Sequence, residues 1–156
     1  MFRVNIYIES NLKGFRRQQG WYGRVVEYQK SNGELETRED FECLEATSNQ
    51  IMLIAVTESL KILNKECHVM VYMDSEYVSN MVAQGRPRQW ALNNWMSAKN
   101  EPVANQKEWQ QLMEQLDKHR VEFTCTKGHA YSEWLKNEIR ERKEGKEKWE
   151  QQKLSQ

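Results

Sequence analysis

Short apolar runs that end on polar, chemically capable residues recur along this chain. Val4-Asn5-Ile6-Tyr7-Ile8 delivers Glu9, and Val69-Met70-Val71-Tyr72-Met73 delivers Asp74. A third run, Val121-Glu122-Phe123-Thr124-Cys125-Thr126, leads into Lys127-Gly128-His129. Runs of this length, rich in β-branched and aromatic residues, read as strands. In open α/β sheets ligands bind outside the carboxyl ends of strands. Three strands with such ends therefore point to one site.

The remaining pattern fills in the elements. Asn11 to Gly20 is a polar, basic loop. Trp21 to Gln29 reads as a second strand, and Ser31-Asn32-Gly33 as a hairpin turn. Leu35 to Phe41 follows as an edge-like strand whose charges discourage pairing with other chains. Thr47 or Ser48 can cap a helix reaching about Asn64, with Ile51, Met52, Ile54, Ala55, Val56, Leu60 and Leu63 forming a wide apolar stripe. His68 to Met73 is the next strand. Ser75 to Gln84 predicts a short helix ended by Gly85 and Pro87, and Glu108 to Lys118 a helix with Trp109, Leu112, Met113 and Leu116 on one face. After the strand at Val121 to Thr126, a helix starts near Ser132. Past Arg140 the chain is almost wholly charged and reads as a solvated helix with paired charges. The order suits a mixed five-stranded sheet in which an antiparallel meander is joined to two parallel strands by right-handed crossovers.

The 156 residues are enough for one domain with a full core. Lys and Arg number 23, as do Asp and Glu, for a formal net charge of zero. A polyanion-binding chain usually carries excess positive charge, so any nucleic-acid surface here is local and weak. The three cysteines are widely spaced and lack a Cys-x-x-Cys pair, which argues against zinc and for a reducing, cytoplasmic setting. Cys125, within a strand pattern, is expected to be a buried thiol. The amino terminus lacks the apolar core of a signal peptide, and no stretch has the ~20 apolar residues of a membrane helix.

In this context the chain resembles the type 1 ribonuclease H family. The likeness spans roughly Val4 to Arg140. It is carried by Ile6-Tyr7-Ile8-Glu9, Gly20-Trp21-Tyr22-Gly23, Thr47-Ser48-Asn49-Gln50, Met73-Asp74-Ser75-Glu76-Tyr77-Val78 and Asn94-Trp95. Lys99 with Pro102-Val103-Ala104-Asn105, Trp109-Gln110-Gln111-Leu112 and Lys127-Gly128-His129-Ala130 continue it. The resemblance implies a ribonuclease H-like α/β fold: strands one to three antiparallel, strands one, four and five parallel, helices on both faces. Residues 1–142 would form this domain and 143–156 a charged helical extension or tail.

The family cleaves the RNA strand of RNA/DNA hybrids with four carboxylates that hold two Mg²⁺ ions. Two hard cations ~4 Å apart need such a cluster of oxygens. Here the carry-over is uneven. The first carboxylate, Asp in the family, is Glu9, and its extra methylene displaces the oxygens by about an ångström. The second falls on Met52, whose thioether does not hold Mg²⁺. The third, Asp74, is intact. The fourth, ten residues after the loop His, lands on Ile139, with Glu138 beside it and in register only if the loop is one residue shorter. The loop His, which in the family helps to move protons or release product, is His129. The resemblance thus implies Glu9, Asp74, Glu138 and His129 as the catalytic set, with Glu9 and Asp74 as the metal ligands, for Mg²⁺ or Mn²⁺ if the chain is active.

For the substrate face, the resemblance puts Thr47, Ser48, Asn49 and Gln50 against the hybrid's minor groove, where 2′-hydroxyls identify RNA. Trp90 and Lys99, on a shortened basic protrusion, and Lys127 complete it. Each has a plainer role as well: Thr47 and Ser48 as helix caps, Trp90 and Trp95 as packing, His129 as a bridge between backbone groups of its loop. Three functions follow. The first is a diverged domain that binds an RNA/DNA hybrid or duplex weakly, in a salt-dependent way, with little or no cleavage. The second is a working metal-dependent ribonuclease H with a modified site. The third is a protein-interaction domain that keeps only the fold.

Overall fold

The computed structural model describes residues 1–155. Three strands open the chain: β1 (Phe2–Ser10), β2 (Gln18–Gln29) and β3 (Leu35–Ala46). Then come α1 (Ser48–Lys61), β4 (Cys67–Met73), α2 (Glu76–Ala83), α3 (Arg86–Leu92), α4 (Gln106–Leu116), β5 (Arg120–Cys125) and α5 (Ser132–Leu154). The strands form one sheet in the order β3-β2-β1-β4-β5. β1 pairs antiparallel with β2 and parallel with β4, and β4 pairs parallel with β5. This is the expected mixed sheet.

Alternation along β1 decides which layer each residue joins. Val4, Ile6 and Ile8 face one side with Val69, Val71 and Met73 of β4, beneath Ile51, Met52, Ala55, Val56 and Leu60 of α1 and Trp109 and Leu112 of α4. Tyr7 and Glu9 face the other. There Tyr7 stacks on Tyr72 with ring centroids 5.0 Å apart, and Val25 and Leu135 of α5 complete a smaller apolar cluster. Helices thus cover both faces, with α5 lying over β1 and β2.

Gly23 fixes the distance between α5 and the sheet. It stands opposite Glu9 in the β1–β2 ladder. A Cβ at this position would come within 2.7 Å of Phe41 and 3.1 Å of Leu135. Only a residue without a side chain lets these two groups close over the strand.

Three expectations need correction. β3 does not stop at Phe41 but pairs with β2 through Ala46. Its charged half is held by cross-strand partners, since the Tyr22 hydroxyl donates to Glu42 and Arg17 pairs with Glu45. Pro87 does not end a helix but lies in the first turn of a new one, α3, after a break at Gly85 (φ 68°). A first-turn residue needs no donor, so proline is tolerated there. Cys125 is exposed, not buried, because it is the last residue of the sheet's edge strand. α5 runs unbroken through residues 142 and 143, and the last residue of the expected charged extension, Gln156, lies outside the described residues. No helix among the described residues is long and apolar enough to cross a membrane.

Candidate active site

The site is built at the carboxyl ends of β1 and β4. The parallel register pairs Tyr7 with Tyr72. Glu9 lies two residues past Tyr7, and Asp74 two past Tyr72, just beyond the end of β4, so the two acids stand at the carboxyl ends of adjacent parallel strands. Asp74 is exposed. The next residue, Ser75, caps α2 by accepting from the Val78 amide at 3.3 Å. Tyr77, in the same stretch, accepts hydrogen bonds from the Trp109 indole (2.8 Å) and Asn105 (3.3 Å). The Asp-Ser-Glu-Tyr-Val segment therefore both presents a carboxylate and locks α2 onto α4.

Glu9 is enclosed. The His129 imidazole reaches it at 2.9 Å (Nε2 to Oε2), with side-chain exposures of only 2% and 6%. The same nitrogen lies 3.1 Å from the Ile8 carbonyl. Nδ1 of His129 accepts from the Tyr131 amide at 3.2 Å. With Nδ1 an acceptor, the ring proton sits on Nε2 and is donated to Glu9 and the Ile8 carbonyl. The Ser132 hydroxyl donates to Glu9 Oε2 at 3.0 Å while accepting from the His129 amide at 2.9 Å. Lys136 brings its ammonium to 3.8 Å from Glu9 Oε1. A carboxylate taken out of water needs such compensation, and this one receives it entirely from the loop before α5 and from α5 itself.

The other site residues fall as follows. Met52 is a core residue of α1, 9% exposed, and Ile139 is buried at 3%. Glu138 does not approach Glu9. It binds Arg142, which also lies over the Phe41 ring, 3.7 Å from its centroid. Ser132 and Lys136, four residues apart, share the helix face turned to Glu9, and Glu138, two residues on, points about 200° around the axis from Lys136. Sequence reading missed Ser132 and Lys136. Their spacing, starting three residues after His129, was the signal available.

Thr47 caps α1 in a reciprocal box: its hydroxyl accepts from the Gln50 amide at 3.1 Å and the Gln50 side chain accepts from the Thr47 amide at 3.0 Å. Arg17 also donates to Gln50, at 3.2 Å, and Ser48 donates to the Gly14 carbonyl at 2.6 Å. Asn49 lies in the first turn of α1 beside them. Trp90 is half-buried against Trp109, with centroids 5.7 Å apart, and near Trp95. Lys99 and Lys127 are exposed. Of the two arginines that flank Pro87, Arg88 pairs with Asp117.

A pair of divalent cations does not fit this donor set. Among the described residues no three His, Cys, Asp or Glu side chains gather to hold a metal ion. No buried side-chain nitrogen or oxygen among them lacks a partner. The acids at the strand ends are two, and one of them is already bound by a ring N–H, a hydroxyl and an ammonium.

The sheet order, the crossovers and the acids at the carboxyl ends of β1 and β4 define an α/β protein of the ribonuclease H-like class. The RNase H family model matches residues 3–145. A Ribonuclease H of Rickettsia bellii is 38% identical over 128 residues, 82% of this chain and 79% of that protein. One of Clostridium botulinum is 36% identical over 137 residues, covering 86% and 89% of the two chains. Among solved structures, LC9-RNase H1, described as a type 1 RNase H with the type 2 active-site motif, superposes with a TM-score of 0.72 at 22% identity, over 87% of this chain and 69% of that one. The foamy viral protease-reverse transcriptase in complex with an RNA/DNA hybrid superposes at 0.62 and 15% identity, over 86% and 18%. The chain belongs to the ribonuclease H family.

Proposed function

We propose that this chain is a ribonuclease H-family domain that binds RNA/DNA hybrids or related duplexes weakly and cleaves them feebly or not at all. One observation carries the reading: the α5 face that meets Glu9 offers a hydroxyl and an ammonium where a further carboxylate would be needed. The position of the second family acid is a core methionine, Met52. Two acids cannot neutralise two divalent ions. Hybrid binding is supported by the family and by the exposure of Lys99 and Lys127. Its weakness follows from a net charge of zero. The three free cysteines accord with a reducing, cytoplasmic setting.

The test is a labelled RNA/DNA hybrid incubated with excess protein in Mg²⁺ or Mn²⁺. The expected result is binding at low salt that fades steeply as salt rises, without metal-dependent nicking. The relatives named Ribonuclease H, matched over four-fifths of the chain, favour one rival: an active enzyme with a modified site. That reading requires Mg²⁺- or Mn²⁺-dependent nicking which Asp74→Asn abolishes, and such nicking would overturn ours.

A further inference from the structure

We propose that Lys136 is the resident cation of this site, standing in for a divalent ion both as the counter-charge of Glu9 and as the contact for a nucleic-acid phosphate. The inference deepens the reading of a hybrid-binding domain with a reduced acid set and rests on it. Its ground is the disagreement between the family's metal requirement and the residues present.

Glu9 is a buried carboxylate, and a carboxylate at that depth needs a positive or donating partner. Its neutral donors are Ser132 and the Nε2–H of His129, both on Oε2. Oε1 faces Lys136, at 3.8 Å. The first turns of α5 dictate this placement. Leu135 and Ile139 are buried against the sheet, and Leu135 is held close by the absence of a side chain at Gly23. With that stripe fixed, Ser132 and Lys136 must flank it on the side of Glu9. An acid at position 136 would add a carboxylate beside Glu9, where a divalent ion could then be held. A lysine there brings one positive charge without requiring any ligands.

The ammonium is not used up by Glu9. It has three N–H donors, its side chain is 58% exposed, and among the described residues one carboxylate oxygen stands within 4 Å of it. A divalent ion at such a site does two electrostatic jobs: it neutralises the protein's carboxylates and it binds a phosphate oxygen. A lysine does both as a point charge, but supplies one unit of charge, with exposed Asp74 opposing the incoming phosphate. The resulting contact is weak, independent of metal and sensitive to salt. No water is activated in this arrangement, which is why binding persists without efficient cleavage.

The experiment has two arms. In the first, Mn²⁺ is titrated and followed by electron paramagnetic resonance with the wild type, Lys136→Glu and Lys118→Glu, the last an equal change of charge at an exposed site in the turn between α4 and β5. The expected result is one Mn²⁺ per chain in Lys136→Glu, bound at least about tenfold tighter than in the other two. In the second, anisotropy of a labelled hybrid is measured in EDTA and in Mg²⁺. Wild-type affinity should be equal in both, and Lys136→Gln should weaken it several-fold and flatten the log-affinity against log-salt slope by about 0.9.

Two tightly bound Mn²⁺ ions in the wild type would overturn both this proposal and the reading beneath it. No gain of Mn²⁺ in Lys136→Glu, or hybrid binding that needs Mg²⁺, would overturn the resident cation alone. So would a Lys136→Gln variant that binds like the wild type. A wild type that binds no hybrid in either buffer would remove the phosphate contact and the hybrid-binding reading together. The Mn²⁺ arm would then still decide whether Lys136 is the counter-charge.

Discussion

Glu9 and His129 meet at 2.9 Å in an almost fully enclosed contact, although 120 residues separate them in the chain. The ring is fixed from both sides. Tyr131 donates to Nδ1, Nε2 faces Glu9 and the Ile8 carbonyl, and the ring lies against Tyr7 with centroids 5.2 Å apart. A histidine clamped in this way joins the loop before α5 to the end of β1, and its first consequence is stability.

His129→Ala should lower unfolding free energy by about 3 kcal/mol, because Glu9 loses its most enclosed donor while staying buried. His129→Gln, which keeps a donor of similar reach, should cost roughly half as much. Urea unfolding of the three proteins measures both. Equal stability of His129→Ala and the wild type would mean that Ser132 and Lys136 alone satisfy Glu9.

Gly23→Ala tests whether the close approach of α5 positions the site. The added methyl would overlap the Phe41 ring at 2.7 Å and touch Leu135 at 3.1 Å. Overpacking of this kind costs typically 1–3 kcal/mol, so a loss of about 2 kcal/mol is expected. A crystal structure of the variant should have the start of α5 displaced from β2 and the Lys136–Glu9 distance lengthened. Full stability with an unmoved α5 would count against the role assigned to Gly23.

Ile139→Asp and Lys136→Asp separate the count of residues after His129 from the geometry of α5. Family spacing points to position 139 for an acid, but Ile139 is buried at 3% on the inner side of α5. A carboxylate there has no partner, and roughly 4 kcal/mol should be lost. Lys136 is exposed, so Lys136→Asp should cost no more than about 2 kcal/mol, mostly from repulsion with Glu9. Chemical denaturation of the two variants gives the comparison. The reverse ranking would mean that the helix face has been misassigned.

Tyr131 supplies a pH dependence. Its hydroxyl donates to Glu27 at 2.8 Å. That bond first, then burial and the charge of Glu27, push its pKa up to about 12. The folded state therefore holds this proton where the unfolded chain, with a tyrosine near 10, releases it. Since the folded state binds more protons in this window, stability falls as pH rises from about 10 to about 12. Tyr131→Phe should lose stability at neutral pH and have a shallower alkaline decline. Spectrophotometric titration at the tyrosinate band, alongside thermal melts, checks the direction. An unchanged alkaline slope in the variant would remove Tyr131 as its source.

Much of the fold was legible because its signals are local. The alternation in β1, the apolar stripe of α1, the Thr47 cap and the Ser75 start of α2 each depend on residues within one or two turns or strand periods. The extra length of β3 was not legible. Its second half carries charges that only Tyr22 and Arg17, on or beside another strand, make tolerable. The exposure of Cys125 was hidden for a like reason: a strand pattern says which face a residue takes, not whether the strand ends at the sheet's rim.

The site divides in the same way. Glu9, Asp74 and His129 could be assigned to strand ends and to the loop before the last helix from the residues alone, because strand period and chain order carry that information. Residue chemistry likewise rules out Met52 as a ligand for Mg²⁺, since a thioether is uncharged whatever surrounds it. That Lys136, and not Glu138 or Ile139, confronts Glu9 emerges only from the packing of α5 on the sheet. That choice depends on how far α5 is rotated and how near it lies, and both are set by Leu135 seating over Gly23, a contact between residues more than a hundred positions apart.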